Sequence, residues 1–148
     1  MLLAVCLLGW SSAGDAADDI FNTKTLKVGD VAPGGELLKK PLAEGKSVIL
    51  VLLPSEKACE GCSFVVAAVE EMEKKHPEMA FIIKGGEGVQ EVFDPDVVML
   101  KRSYGVQMTG VPWTIYINSL GKVRKITTGV FNGPEMESYF VNLKWVKP

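Results

Sequence analysis

Cys59 and Cys62, in the run Lys57-Ala58-Cys59-Glu60-Gly61-Cys62, are the residues of this chain best suited to chemistry. Two thiols three positions apart can close a disulfide, cycle between dithiol and disulfide, or supply half of a metal site. A structural zinc site takes four ligands, whereas the remaining chain offers Cys6, near the N-terminus, and a single histidine, His76. Zinc is disfavoured on that count, so no metal is expected. Copper(I) held by the pair and His76 is a weaker reading still, because His76 falls at the far end of the helix that follows the thiols. A static disulfide is a further alternative, though closing so short a loop stabilises little. Redox cycling leads.

A cysteine at the first turn of a helix meets unpaired backbone N–H groups and the positive end of the macrodipole, and both favour thiolate. Cys59 is therefore expected to be the nucleophile, and Cys62, one turn on and deeper, the thiol that resolves a mixed disulfide by attacking Cys59. Lys57, Glu60 and Gly61, before and between the cysteines, are the tuning residues. Glu60 places a negative charge beside the thiolate and Lys57 offsets it in part. A raised Cys59 pKa follows, and that makes a weaker oxidant, so the motif points to a reductant.

Several elements must position this pair. Val48-Ile49-Leu50-Val51-Leu52-Leu53 is continuous and aliphatic, as in a central strand buried on both faces, and Pro54 ends it. Phe64, Val65, Ala68, Val69 and Met72 make one apolar stripe of a helix. Glu70 with Lys74 and Glu71 with Lys75 pair on its other side, and it stops at His76-Pro77. Met79 to Ile83 reads as a strand parallel to the first. Asp94-Pro95-Asp96 starts a short helix, with Lys101 and Arg102 near its end and Gly105 as its left-handed cap. Trp113 to Ile117 and Lys122 to Ile126 form an antiparallel hairpin around Asn118-Ser119-Leu120-Gly121. Asn132-Gly133-Pro134 opens a last helix carrying Met136, Tyr139, Phe140 and Leu143 on one face, its end covered by Trp145. Upstream, Leu37-Leu38 and Leu42 are expected to form a strand or turn covering a sheet edge. Gly85-Gly86-Glu87-Gly88 lacks the glycine offsets and flanking elements of a phosphate-binding loop.

With 148 residues and 47% hydrophobic content the chain fits one domain with its own core. A net charge of −2 gives no basic field to attract nucleic acid. Leu2 to Trp10 is apolar and is followed by Ser11-Ser12-Ala13-Gly14, the order of a signal-peptide core and cleavage region. The run falls short of the about 20 residues that a spanning helix needs. Residues 1–16 are read as an exported leader, cleaved after Ala13 or Ala16, residues 17–27 as a lead-in and 28–148 as the folded domain. Lipid attachment at Cys6 is a lesser alternative, since few apolar residues precede it and Val5 is large for its place. Removal of the leader takes Cys6 with it, leaving the Cys59–Cys62 pair in a compartment where disulfides persist.

Strand, Cys59-Glu60-Gly61-Cys62, helix, parallel strand, Gly110-Val111-Pro112, hairpin and final helix together resemble the thioredoxin-like superfamily over Val28 to the C-terminus. Val28-Gly29-Asp30-Val31-Ala32-Pro33 and Tyr104-Gly105-Val106 are similar to its exported TlpA/ResA-like branch. The resemblance implies an α/β fold, a central mixed sheet flanked by helices with a C-terminal β-hairpin and helix. It also implies a cis Pro112 against the thiols, with Val111 and Pro112 binding an extended substrate segment. Its activity would be thiol-disulfide exchange without a cofactor, on protein disulfides or dithiols such as apocytochrome c thiols, fed by a membrane electron donor. Ala58 stands where the family has tryptophan, Leu53 where thioredoxin has a buried acid, and Val65 where many TlpA-like chains have glutamate. A peroxiredoxin-type peroxidase is an alternative that lacks the family's threonine three residues before the cysteine, where Glu56 stands. A binding module without redox activity is the other.

Overall fold

The computed structural model describes residues 26–54, 59, 61–86, 95–106 and 110–147. Strand β1 is Val48–Leu53, and all six of its side chains are buried. Its neighbours explain this: the sheet runs β2 (Ala80–Gly85), β1, β3 (Trp113–Ile117), β4 (Val123–Thr128), so β1 is interior and layered on both sides. β1 and β2 are parallel, with Val51 beside Ile83, while β3 is antiparallel to β1 and β4 to β3. The sheet is mixed, as expected, and the Cys59–Cys62 motif follows its C-terminal edge along β1.

Helices α1 (Glu36–Ala43), α2 (Cys62–Lys75), α3 (Pro95–Ser103) and α4 (Gly133–Asn142) complete the described fold. Alternation along β1 divides the core in two. Ile49, Val51 and Leu53 pack with Val65, Ala68, Val69 and Met72 of α2, Met136 and Phe140 of α4, and Tyr116 of β3. Val48, Leu50 and Leu52 pack with Leu38 of α1, Ile115, Ile117, Val123 and Tyr104, the residue after α3. Each such buried aliphatic side chain contributes about 1.5–3 kcal/mol by leaving water.

Local chemistry sets the ends. Asn132 caps α4, its Oδ1 accepting from the Glu135 N–H at 2.9 Å, and Pro134 fits the first turn, where its missing N–H costs nothing. α2 ends as predicted at His76, before Pro77. Asn118 Oδ1 accepts from the backbone N–H of Leu120 and Lys122 and closes the hairpin turn with Gly121 at φ 73°. Gly105 takes the left-handed cap at φ 66°. The predicted N-cap Asp94 lies outside the described residues.

Four expectations change. Leu37, Leu38 and Leu42 lie on helix α1, with Pro41 inside it, instead of a strand or turn. Burial of Leu38 against the cluster of Val48, Leu50 and Leu52 outweighs the hydrogen bond that Pro41 cannot donate. Phe64 is 69% exposed, off the α2 stripe. Lys75 does not pair with Glu71 along its own helix; it reaches Glu137 of α4 at 2.6 Å. β2 and β4 each run two residues beyond their predicted ends, to Gly85 and Thr128, because neighbouring strands continue their ladders.

Candidate active site: the Cys59–Cys62 pair

Cys59 and Cys62 form a disulfide with Cα atoms 5.4 Å apart, an ordinary separation for the bond. Cys62 is the first residue of α2 and Gly61 its N-cap, so Cys59 precedes the helix and does not occupy its first turn. This corrects the predicted placement. Backbone bonds from the Cys62 N–H to the Cys59 carbonyl and from Val65 N–H to the Gly61 carbonyl, both 3.2 Å, fold the pair onto the helix start. Gly61 supplies no side-chain cap and no acid occupies the first turn. The positive end of α2 thus lies at the Cys62 end of the pair, with no acid in the first turn to offset it.

Both cysteines are half-buried, and Cys62 packs against the core shared by α2 and α4. Gly61 is needed by its surroundings: a Cβ there would lie 2.0 Å from Cγ2 of Val130. Its φ of −97° is open to any residue, so contact and not backbone conformation requires glycine. Val130 follows Gly129, whose N–H donates to the Pro112 carbonyl at 2.9 Å. The turn after β4 therefore links the segment between the cysteines to Pro112 at the start of β3.

Pro112 is buried and Val111 is 39% exposed beside it, at the sheet end that the thiol pair occupies. The Val111–Pro112 bond is trans, since no cis peptide bond occurs among the described residues. The expected cis bond is not found. Lys57 and Glu60 lie outside the described residues. Exposed apolar side chains at this end are Phe64, Val111 and Val130.

Two contributors escaped the sequence reading. Val130 carries no chemical signature, and only the fold brings it to Gly61. Lys101, read as a charge at a helix end, donates its Nζ to the carbonyl of Leu53 at 2.5 Å. That contact anchors the last residue of β1, six positions before Cys59, across 48 positions of sequence. Leu53 and Val65 are buried apolar side chains of the core beneath the pair. Among the described residues no group of three or more histidine, cysteine or acidic side chains is disposed to hold a metal.

Farther along the same face of the sheet, burial pushes the Tyr116 phenol well above its ordinary value, with a smaller opposite pull from the Thr127 hydroxyl. The Tyr116 and Thr127 hydroxyls are near one another, yet neither they nor the buried Thr114 hydroxyl make a hydrogen bond of ordinary geometry. No helix among the described residues is long and apolar enough to cross a membrane.

No family model and no curated protein matches the sequence. Solved structures do resemble the fold. Thioredoxin of Fasciola hepatica aligns at a TM-score of 0.52 and 19% identity, over 71% of this chain and 89% of that one. A thiol:disulfide interchange protein DsbE from Chlorobium tepidum aligns at 0.54 and 19%, over 81% and 98%. A DsbH oxidoreductase aligns at 0.55 and 14%, over 82% and 87%. The fold is thioredoxin-like, a central mixed sheet between helices.

Proposed function

We propose that this thioredoxin-fold chain is an extracytoplasmic thiol-disulfide oxidoreductase whose net direction is reduction of protein disulfides. The observation that carries the reading is the closed Cys59–Cys62 pair at the uncapped N-terminus of α2. In the reduced form, Cys59 thiolate attacks a substrate disulfide, forming a mixed disulfide and releasing one substrate thiolate. Cys62 then loses its proton, attacks the Cys59 sulfur and expels the second substrate thiolate. Two electrons pass to the substrate, whose thiolates take up protons from solvent, and the Cys59–Cys62 disulfide is left.

A dithiol donor must return those electrons, and a membrane-embedded one fits a protein working outside the cytoplasm. Location is argued from the leader-like order of residues 1–16 and from a disulfide that needs an oxidising compartment to persist. The reductive direction rests on Glu60 beside the nucleophile. Val111 and Pro112 are proposed to receive the extended substrate, their neighbourhood offering the apolar surface of Phe64 and Val130. The names of the DsbE and DsbH neighbours agree with disulfide exchange.

The test is a redox titration of the pair together with reduction of insulin disulfides. A reversible two-electron couple and catalysed insulin reduction, both abolished by Cys59→Ser, are expected. A pair that never cycles, or insulin reduction that survives Cys59→Ser, overturns the reading. Cys62→Ala should trap the mixed disulfide and identify the physiological substrate.

A further inference from the structure

The resolving step needs somewhere to put the Cys62 proton, and the side chains beneath the thiols, Leu53 and Val65, are buried and apolar. On the same sheet face stands an unusual group. Thr114 and Thr127 face each other across β3 and β4, and Tyr116 lies two residues along β3. Thr114 is 1% and Tyr116 0% exposed, and none of the three buried hydroxyl oxygens makes a hydrogen bond of ordinary geometry, although the Thr127 hydroxyl is near enough to the Tyr116 phenol to act on it. Buried hydroxyls are rarely left unbonded, and a polar set of this kind is where internal water is held.

Register fixes where this row lies. Trp113–Thr128 is the last β3–β4 pair before the Pro112–Gly129 hydrogen bond, and Val130, next in the chain, abuts Gly61. Trp113 belongs to the opposite face, so Thr114–Thr127 is the first pair on the Cys62 face beneath that turn. Thr114 also sits beside Val51, a member of the core against which Cys62 packs. The row then leads outward. The Tyr116 and Tyr139 rings meet edge to face at 5.6 Å, and the Tyr139 hydroxyl donates to exposed Glu135 at 2.8 Å. Lys125, opposite Tyr116 on β4, lies 4.3 Å over the Tyr139 ring and completes the charged rim.

We propose that the hydroxyls of Thr114, Thr127 and Tyr116 hold internal water, and that this hydrated row carries the Cys62 proton toward Tyr139 and the Glu135 carboxylate during resolution. The proposal rests on the redox reading above. In the balanced step the Cys62 S–H bond breaks, its proton enters the row, and one proton leaves at the Glu135 end. The sulfur keeps the electron pair and forms the bond to Cys59, while the substrate thiolate departs and takes up a proton from solvent. Thr114, Thr127 and Tyr116 are positioning residues for water, not groups that touch the substrate.

The experiment compares wild type with Thr114→Val/Thr127→Val, near-isosteric changes, and with Thr114→Ser/Thr127→Ser. The protein is loaded as a mixed disulfide with glutathione on Cys59, and the release of glutathione by Cys62 is timed from pH 6 to pH 9. At neutral pH the valine variant should be slower by about 100-fold, the lower end of what a positioned proton-transfer aid contributes. The deficit should shrink as hydroxide takes over at high pH, and the serine variant should keep the wild-type rate. A valine variant resolving at the wild-type rate overturns the proposal, as does a deficit equal at every pH. Water is checked separately. A crystal structure should show an ordered water bonded to at least two of the hydroxyls, and the valine variant should melt below wild type. A dry site, with the valine variant melting higher because an unbonded buried hydroxyl has been removed, overturns it. Failure of the wild-type pair to release glutathione at all would instead indict the redox reading.

Discussion

The two faces of the sheet are built from the same alternating strand yet hold different materials. Toward α2 and α4, Ile49, Val51 and Leu53 meet an aromatic group of Tyr116, Tyr139, Phe140 and Trp145, three unbonded hydroxyls and Cys62. Toward α1 and α3, Val48, Leu50 and Leu52 meet mainly aliphatic side chains together with Tyr104 and Trp113, and among the described residues no buried side-chain polar atom of this cluster lacks a partner. Tyr104 donates its hydroxyl to the Pro33 carbonyl and Lys101 its ammonium to the Leu53 carbonyl. One face is fastened, and the other holds buried hydroxyls on the side of the sheet where Cys62 packs. Segregation of this kind lets one layer hold the strand ends while the thiol pair lies on the opposite layer.

The largest expected effect breaks the aromatic group. Phe140→Ala should cost about 3–5 kcal/mol, because the ring is fully buried against His76, Phe81, Tyr116 and Trp145. Urea unfolding measures this, and a loss under about 1 kcal/mol would mean that α4 is held by something other than this ring. Next comes the contact that ties the cysteine segment to the sheet. Gly61→Ala is expected to destabilise by about 1–3 kcal/mol by overpacking against Val130. Adding Val130→Ala should recover most of it, and strictly additive effects would show that the two do not meet in solution.

The fastened face yields a smaller change. Tyr104→Phe should cost about 1 kcal/mol for the lost bond to the Pro33 carbonyl. It should also soften alkaline unfolding. Burial raises the Tyr104 and Tyr116 phenols above 10.0, so the folded state keeps protons that the unfolded chain releases. Their stabilisation is intact below pH 10 and falls as pH rises beyond it. Denaturation midpoints at pH 9 and pH 11 test the sign, and a midpoint constant across that interval contradicts it. The smallest effect lies at the surface between α2 and α4. The hydrogen bond from Lys75 holds the Glu137 carboxyl below its ordinary 4.5, against a weaker opposing effect of burial. Its folded pKa being lowered, the pair stabilises above pH 4.5 and loses that contribution as pH falls through the folded value. Lys75→Met should flatten the acid limb of the stability curve slightly, and an unchanged limb would show the bridge to be thermodynamically silent.

Much of this architecture is legible because it is written in local patterns. An unbroken aliphatic run defines β1, the spacing of Val65, Ala68, Val69 and Met72 defines α2, and Asn132-Gly133-Pro134 states where α4 begins. The thiol pair is equally plain from its spacing. Phe64 misled because apolar character does not reveal which residues of a helix overhang the sheet. Leu37, Leu38 and Leu42 misled because the partner that rewards their helical arrangement is a strand elsewhere in the chain. The trans bond before Pro112 departs from what resemblance implied, and no local pattern in Gly110-Val111-Pro112 distinguishes the isomers.

What the sequence by itself determined is the redox-capable pair and the order of elements that would present it, since both follow from residue types at short range. Tertiary structure alone decided that Cys62 rather than Cys59 begins α2, that Val130 reserves the place of Gly61 and that Lys101 fastens Leu53. It alone aligned three buried hydroxyls on the thiol face. These depend on register between β3 and β4 and on the turn that follows them, and register joins residues far apart in the chain through space, where no spacing along the sequence records the meeting.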